Sequence, residues 1–271
     1  MKNLFQLFVA LAVLSACNRL EETQDNIDSS EVNSIAENEF NSVLEMVDDE
    51  TASGTPGSRV NSRNTLPECA SVSYNQATRT LTINFGNENC LCLDGIYRRG
   101  SIVAVFTGEF REVGSTSTIT LENYYVNDNH FQGTKTYELL NVPPQNLKWQ
   151  VSVSDASIET EAGTFTWEAD RTVERISGND TPFNFSDDVY LVEGTATGQN
   201  RRGTNYESVI TTPLKKVRQS GCARVFVSGV VELTNEGGQT LVLDYDPLDD
   251  EACDRLAEVT INGRTRQITL R

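Results

Sequence analysis

Two hydrophobic rhythms divide the chain. Between Ser29 and Val47 apolar residues recur at helical spacing, at Val32, Ile35, Ala36, Phe40, Val43, Leu44 and Val47. That stripe predicts a short amphipathic helix, with Ser29, Ser30 and Glu31 placed to cap it. From Leu66 onward the period drops to two. Leu81, Ile83 and Phe85 alternate with Thr80, Thr82 and Asn84, and the same alternation runs through Ser101–Phe106, Thr118–Leu121, Thr240–Leu243 and Val259–Ile261. Val, Ile, Thr and aromatic residues in strict alternation predict half-buried strands. Turn residues punctuate them at Asn127-Asp128-Asn129, Gly178-Asn179-Asp180, Glu236-Gly237-Gly238 and Asn262-Gly263. The last is a strong two-residue hairpin signal, joining Val259–Ile261 to Arg264–Leu270.

A slower repeat overlies the strands. Gly133-Thr134-Lys135-Thr136, Gly163-Thr164-Phe165-Thr166 and Gly194-Thr195-Ala196-Thr197 share a Gly-Thr-x-Thr pattern. The spacing suits hairpin units in series. No long amphipathic helix is expected after Leu66. The fold class is therefore all-β: a long antiparallel meander forming a curved sheet or partial barrel, with a β-sandwich as the alternative, because a meander this long must curl, close or split. Thr51–Arg63 is rich in Ser, Thr, Asn and Gly, a linker composition. The expected organisation is a targeting segment over 1–16, an acidic flexible tether with a short helix over 17–64, and a β domain over 65–271. An isolated helix of that length is marginal in water, so the tether is expected to be a spacer, with a helix that docks on a partner as the alternative.

The first residues carry an address. Lys2 precedes an apolar run from Leu4 to Leu14, and Ser15 and Ala16 lead directly into Cys17. The run is shorter than the ~20 residues a spanning helix needs, and it reads as a signal peptide. With the cysteine at its end it resembles a lipobox, in which cleavage before the cysteine is followed by lipidation. Acyl chains bury methylenes at ~0.8 kcal/mol per CH₂, so several hold firmly. The membrane, through lipid on Cys17, is thus an expected partner, and an outer-membrane location on the periplasmic or surface face is expected with it.

Charge and cysteines narrow the classes. The formal net charge is -17, with eleven acidic residues and one base between Asn18 and Glu50. Such a chain repels nucleic acid, and none is expected as a partner. Beyond Cys17 there are five cysteines: Cys69, Cys90, Cys92, Cys222 and Cys253. Disulfides suit an oxidising compartment. Cys90 and Cys92 are too close in sequence to bridge without strain, so the expected pairs are Cys69 with either Cys90 or Cys92, and Cys222 with Cys253, leaving one thiol over.

Catalytic signatures are sparse. His130 is the only histidine and flanks a turn, and there is no Gly-x-Ser-x-Gly, phosphate-binding loop or His-Glu-x-x-His. A glycosidase needs two carboxylates across a cleft, and among so many acids no pair stands out. Asp187-Asp188 and the run from Asp244 to Glu251 could offer oxygen ligands, but they read as solvated acidic loops. No metal or cofactor is expected. Trp149, Trp167, Tyr124 and Tyr125 are candidates for stacking on a sugar if exposed, although aromatic residues in strands are more often core.

The pieces Thr82-Ile83-Asn84-Phe85-Gly86, Asp94-Gly95, Arg99-Gly100, Phe106-Thr107-Gly108, Asn123–Asn127 and Gly133-Thr134, with Leu243-Asp244-Tyr245, Cys253-Asp254 and Val259–Gly263 near the end, resemble uncharacterised lipoproteins of Bacteroidota. Asp246–Glu251 departs from that resemblance, which would have a shorter glycine-rich turn. The resemblance implies a fold and an address and no activity. Arg19-Leu20-Glu21-Glu22 loosely resembles signals for export to the cell surface. The expected function is a non-catalytic, lipid-anchored envelope or surface module for a glycan or protein ligand. The alternative is a periplasmic carrier of lipid or another hydrophobic ligand, and a glycoside hydrolase is a more distant one.

Overall fold

A computed structural model describes residues 2–51, 66–181, 184–219, 222 and 225–270, with side chains from residue 24 onward. One helix, α1 (Lys2–Thr51), precedes fourteen strands: β1 (Ser71–Asn75), β2 (Thr80–Asn84), β3 (Cys90–Leu91), β4 (Tyr97–Phe106), β5 (Thr116–Val126), β6 (Asn129–Asn141), β7 (Leu147–Thr160), β8 (Gly163–Ser177), β9 (Val189–Gln199), β10 (Asn205–Val217), β11 (Ser228–Asn235), β12 (Thr240–Asp244), β13 (Leu256–Ile261) and β14 (Arg264–Thr269). All strands form one antiparallel sheet in sequence order, with β3 set aside against β4. It is the predicted meander. The sheet is not closed, since β1 and β14 end the ladder without pairing to each other. It is a curved sheet and not a sandwich.

The curvature has local causes. Gly133 and Gly194, two members of the Gly-Thr-x-Thr repeat, lie inside strands at φ 135° and 124°. A Cβ on Gly194 would meet Asp170 O at 2.2 Å, and one on Gly133 would meet Ala156 Cα at 2.8 Å. Only glycine fits such close backbone approaches, and glycine kinks bend strands. The β6–β7 register slips at Gly133, between Gln132 and Thr134. Gly163, the third member, simply opens β8 after the turn. Asn262 and Gly263 adopt φ 51° and 72°, making the predicted two-residue hairpin between β13 and β14.

What the sheet curls around is its own N-terminal segment. The predicted stripe exists: Val32, Ala36, Phe40, Val43, Leu44 and Val47 are buried. The opposite face is buried too, at Ser29, Asn33, Ser34, Glu37, Glu39 and Asn41. Residues 24–51 are therefore not a spacer, and they share one hydrophobic core with the strands. The expected cap at Ser29 is absent, because the helix runs through it. Ser29 Oγ instead donates to Asn235 Oδ1 at 2.9 Å, and Ser30 Oγ to Ile27 O at 2.8 Å. The stripe alone understated the element, because helices of marginal intrinsic stability form when tertiary packing covers them. Of the expected linker, Thr51–Arg63, Thr51 ends α1 and the remainder lies outside the described residues.

The connections differ in length between the two ends of the shell. At the Asp25 end of the packed helix segment most are short, at 127–128, 161–162, 200–204, 236–239 and 262–263, and one is long, 85–96, which carries β3. At the segment's C-terminal end they are mostly longer: 107–115, 142–146, 178–188 and 218–227.

Candidate functional site

The interior of the shell is the most distinctive chemical environment in the molecule. In β8 the inward positions run Phe165, Trp167, Ala169, Arg171, Val173 and Arg175, all buried. Strand alternation thus points two guanidinium groups into the core on the same phase as two aromatic rings. β4 adds Arg98, β6 adds Lys135 and β10 adds Lys216, each buried. Charges this deep require partners; α1 supplies carboxylates for Arg98, Arg171 and Lys216, and Asp188 supplies one for Arg175.

The pairing follows the helix axis. At the start of the packed segment 24–51, Arg201 Nη1 donates to Asp28 Oδ1 at 2.8 Å and Arg202 pairs with Asp25. In the middle, Arg171 reaches Glu37 through Nη2 at 2.7 Å and through Nε at 3.1 and 3.2 Å. Tyr124 Oη donates to Glu39 Oε1 at 2.7 Å and accepts from Arg98 Nε at 3.1 Å. Arg98 also forks onto Asp94, at 2.9 and 2.8 Å. Toward the C-terminal end Lys216 Nζ lies 2.7 Å from Glu45, Arg111 3.1 Å from Asp48, and Arg218 forks onto Asp49 at 2.6 and 2.7 Å. Acids in the last turn of a helix oppose its dipole. Arg111 and Arg218 explain why Asp48 and Asp49 are tolerated there.

Burial strains some of these charges. It pushes the Asp49 carboxyl up to about 7, although Arg218 pulls the other way. It pushes Asp188 up to about 6, against Arg175 and a hydrogen bond from Tyr190. Lys135 Nζ donates to Phe40 O at 2.6 Å and has no adjacent carboxylate partner, so burial lowers it to about 7 despite Glu37 and Glu45. Burial also opposes the Arg98 charge, but Glu39 and its other partners hold it well above the usual range.

The candidate sugar-stacking aromatics separate. Trp167 stacks on Phe40 with ring centroids 5.5 Å apart, and its Nε1–H donates to Asn33 Oδ1 at 3.0 Å. Trp149 packs against Tyr190, and Tyr124 holds Glu39. All three are buried, so they are core and cannot stack on a ligand from solvent. Tyr125 alone is half-exposed, stacked on His130 at 4.5 Å with Arg99 3.8 Å over its ring. His130 Nδ1 lies 3.7 Å from Glu159. The two acidic segments do not behave alike. Asp188 is buried and pairs with Arg175, while Asp246 Oδ1 accepts backbone N–H groups from Asp250 and Glu251. Among the described residues no group of three or more His, Cys, Asp or Glu side chains is arranged to hold a metal ion.

The cysteines resolve one open choice. Cys69 bridges Cys90, Cys222 bridges Cys253, and Cys92 is a buried free thiol. Burial raises the Cys92 thiol despite nearby Arg98. Cys17 lies on α1, but its side chain is outside the described residues. Among the described residues no helix is long and apolar enough to cross a membrane.

One cleft opens along the seam of the sheet. It encloses about 570 Å³ between the β5–β6 turn and β13, with helix residues Glu31, Ile35 and Asn38 in its wall beside Phe131 and Tyr245. Asn38 Oδ1 is buried without a hydrogen-bond partner.

Reading strands for parity alone would have found the interior cations, because Arg171, Arg175 and Lys216 sit at apolar phases of their strands. What parity could not supply was the acidic helix as their partner, since nothing local joins Glu37 to Arg171 across 134 residues. No protein-family model matches the chain, and neither does any curated protein or solved structure.

Proposed function

We propose that the chain is a lipid-anchored, non-catalytic module of the bacterial envelope or cell surface, held by Cys17 and presenting its β shell to a glycan or protein ligand. The observation that carries this reading is the self-filled interior. A carrier holds its cargo on a concave face, and here that face is occupied by residues 24–51 and bonded to them through Arg171, Arg98 and Arg218. The cleft of about 570 Å³ at the seam has polar Gln24, Asp28, Glu31 and Asn38 in its wall, and the void beside Trp149 and Lys216 has room for only about 10 Å³. A carrier of lipid is therefore the weaker reading. Two disulfides suit an oxidising, extracytoplasmic compartment.

The test begins with the anchor. Cells making the full chain are fed an alkyne fatty acid, and the chain is expected to take up the label and float with membranes. Cys17→Ser is expected to abolish both. Label that persists in Cys17→Ser would defeat the anchor assignment. Protease shaving of intact against lysed cells then assigns the membrane face, since only a surface domain is cut before lysis.

A further inference from the structure

The anchor and the fold share one helix. This has a consequence for how the shell meets the membrane, and it rests on the lipid-anchor reading above. Asn200 Nδ2 donates to Asp25 O at 3.1 Å, Arg202 holds the Asp25 carboxylate, and Asn26 donates to Gln239. Arg201 grips Asp28 through its backbone N–H at 3.0 Å and its guanidinium at 2.8 Å. The helix is thus locked to the shell from Asp25 onward. Only seven steps of chain separate Cys17 from Gln24. They span about 10 Å as helix and at most about 25 Å fully extended.

We propose that the short-turn end of the shell, formed by the 161–162, 200–204 and 236–239 connections, rests directly on the lipid bilayer that holds Cys17, so that the long-loop end points away from it. The occupant of that end is a lipid surface because the chain is too short to hold it anywhere else. The contact is geometric, not electrostatic. Arg201 and Arg202, the cations of the 200–204 turn, are already paired with helix acids, and Glu161 and Glu236 lie in the neighbouring turns. Affinity for anionic headgroups therefore plays no part. The far end is marked by Arg111 on Asp48, about 35 Å further along the helix axis. The connections at that end run to eleven residues, at 178–188 and 245–255, whereas at the near end only 85–96 is as long. Long loops on a rigid scaffold are where binding residues concentrate. The membrane thus leaves the loop-rich end free for a partner.

The experiment uses the lipidated full chain, purified in detergent and returned to vesicles of phosphatidylethanolamine and phosphatidylglycerol. Two single-cysteine reporters carry a fluorophore: Gly237→Cys in the 236–239 turn, where an added Cβ meets nothing within 4 Å, and Val113→Cys at the far end, where the side chain is 54% exposed. Cys92 is buried and stays unlabelled in the folded chain. Headgroup-quencher lipids are expected to quench the Gly237→Cys label several-fold more than the Val113→Cys label, at every phosphatidylglycerol fraction. Protein that floats with vesicles yet quenches both labels equally overturns this proposal and leaves the anchor standing. Protein that carries no acyl chain and fails to float overturns both. Quenching that rises steeply with phosphatidylglycerol overturns the geometric account.

Discussion

Glu37 and Arg171 meet inside the shell through three hydrogen bonds, with both side chains at most 3% exposed. Removing one member leaves the other charge buried and alone, which costs about 3–5 kcal/mol. Glu37→Ala is therefore expected to lower unfolding free energy by that amount in denaturant titration. Replacing both at once, Glu37→Leu with Arg171→Met, is expected to recover most of the loss, because an apolar pair of similar volume avoids desolvation. A double variant as unstable as the single would contradict this. Lys135 is the converse case. Folded, it loses its proton above about pH 7, whereas the unfolded chain holds it to 10.5. Between those values the unfolded state binds more protons, so stability rises with pH across that window. Below it the cost of burying the charge is present in full. Lys135→Met is expected to be more stable than the parent at pH 7 and to lose that rise, read from melting temperatures at pH 6 to 10. The signal for both residues was present in the chain as a cation on an apolar strand phase, although the magnitude belongs to the burial.

At the scale of elements, the helix and the sheet depend on each other. The peptide 24–51 carries acids along the face opposite its apolar stripe and has no reason to be helical alone. The strands without it would leave Arg98, Lys135, Arg171 and Lys216 facing an empty core. Circular dichroism of the isolated peptide is expected to show coil. The segment 66–271 made alone is expected to lack a cooperative unfolding transition, and a sharp transition from it would show that the helix is dispensable. Hairpin turns were legible in advance because Asn-Gly is a local cause with a local effect. The helix was legible only as a stripe, since its polar face is explained by residues up to 213 positions away.

The whole molecule is an open sheet made compact by what it encloses, with two disulfides at its margins. The bridges close 21 and 31 residues, and each is expected to contribute about 2–4 kcal/mol. Reduction of the folded protein is therefore expected to lower its denaturation midpoint, while the native chain resists alkylation. Cys92, buried and with its thiol raised, is expected to react with iodoacetamide only once denaturant is added. Mass spectrometry that finds Cys92 alkylated in the native state would place it nearer the surface.

Period-two alternation, turn chemistry and cysteine spacing are local properties. The sequence by itself therefore determined the antiparallel meander, the β13–β14 hairpin and the Cys222–Cys253 bridge. The choice of Cys90 over Cys92 needed three-dimensional position, since the two thiols are alike in sequence and differ only in where the β3 turn points them. The place of the acidic segment needed the tertiary structure altogether. An acidic run before a β domain looks like a solvated tether as long as its partners are unseen. It becomes a core helix when the strands bring Arg98, Arg171, Lys216 and Arg218 around it, because buried cations and buried carboxylates are each too costly alone and are tolerable together.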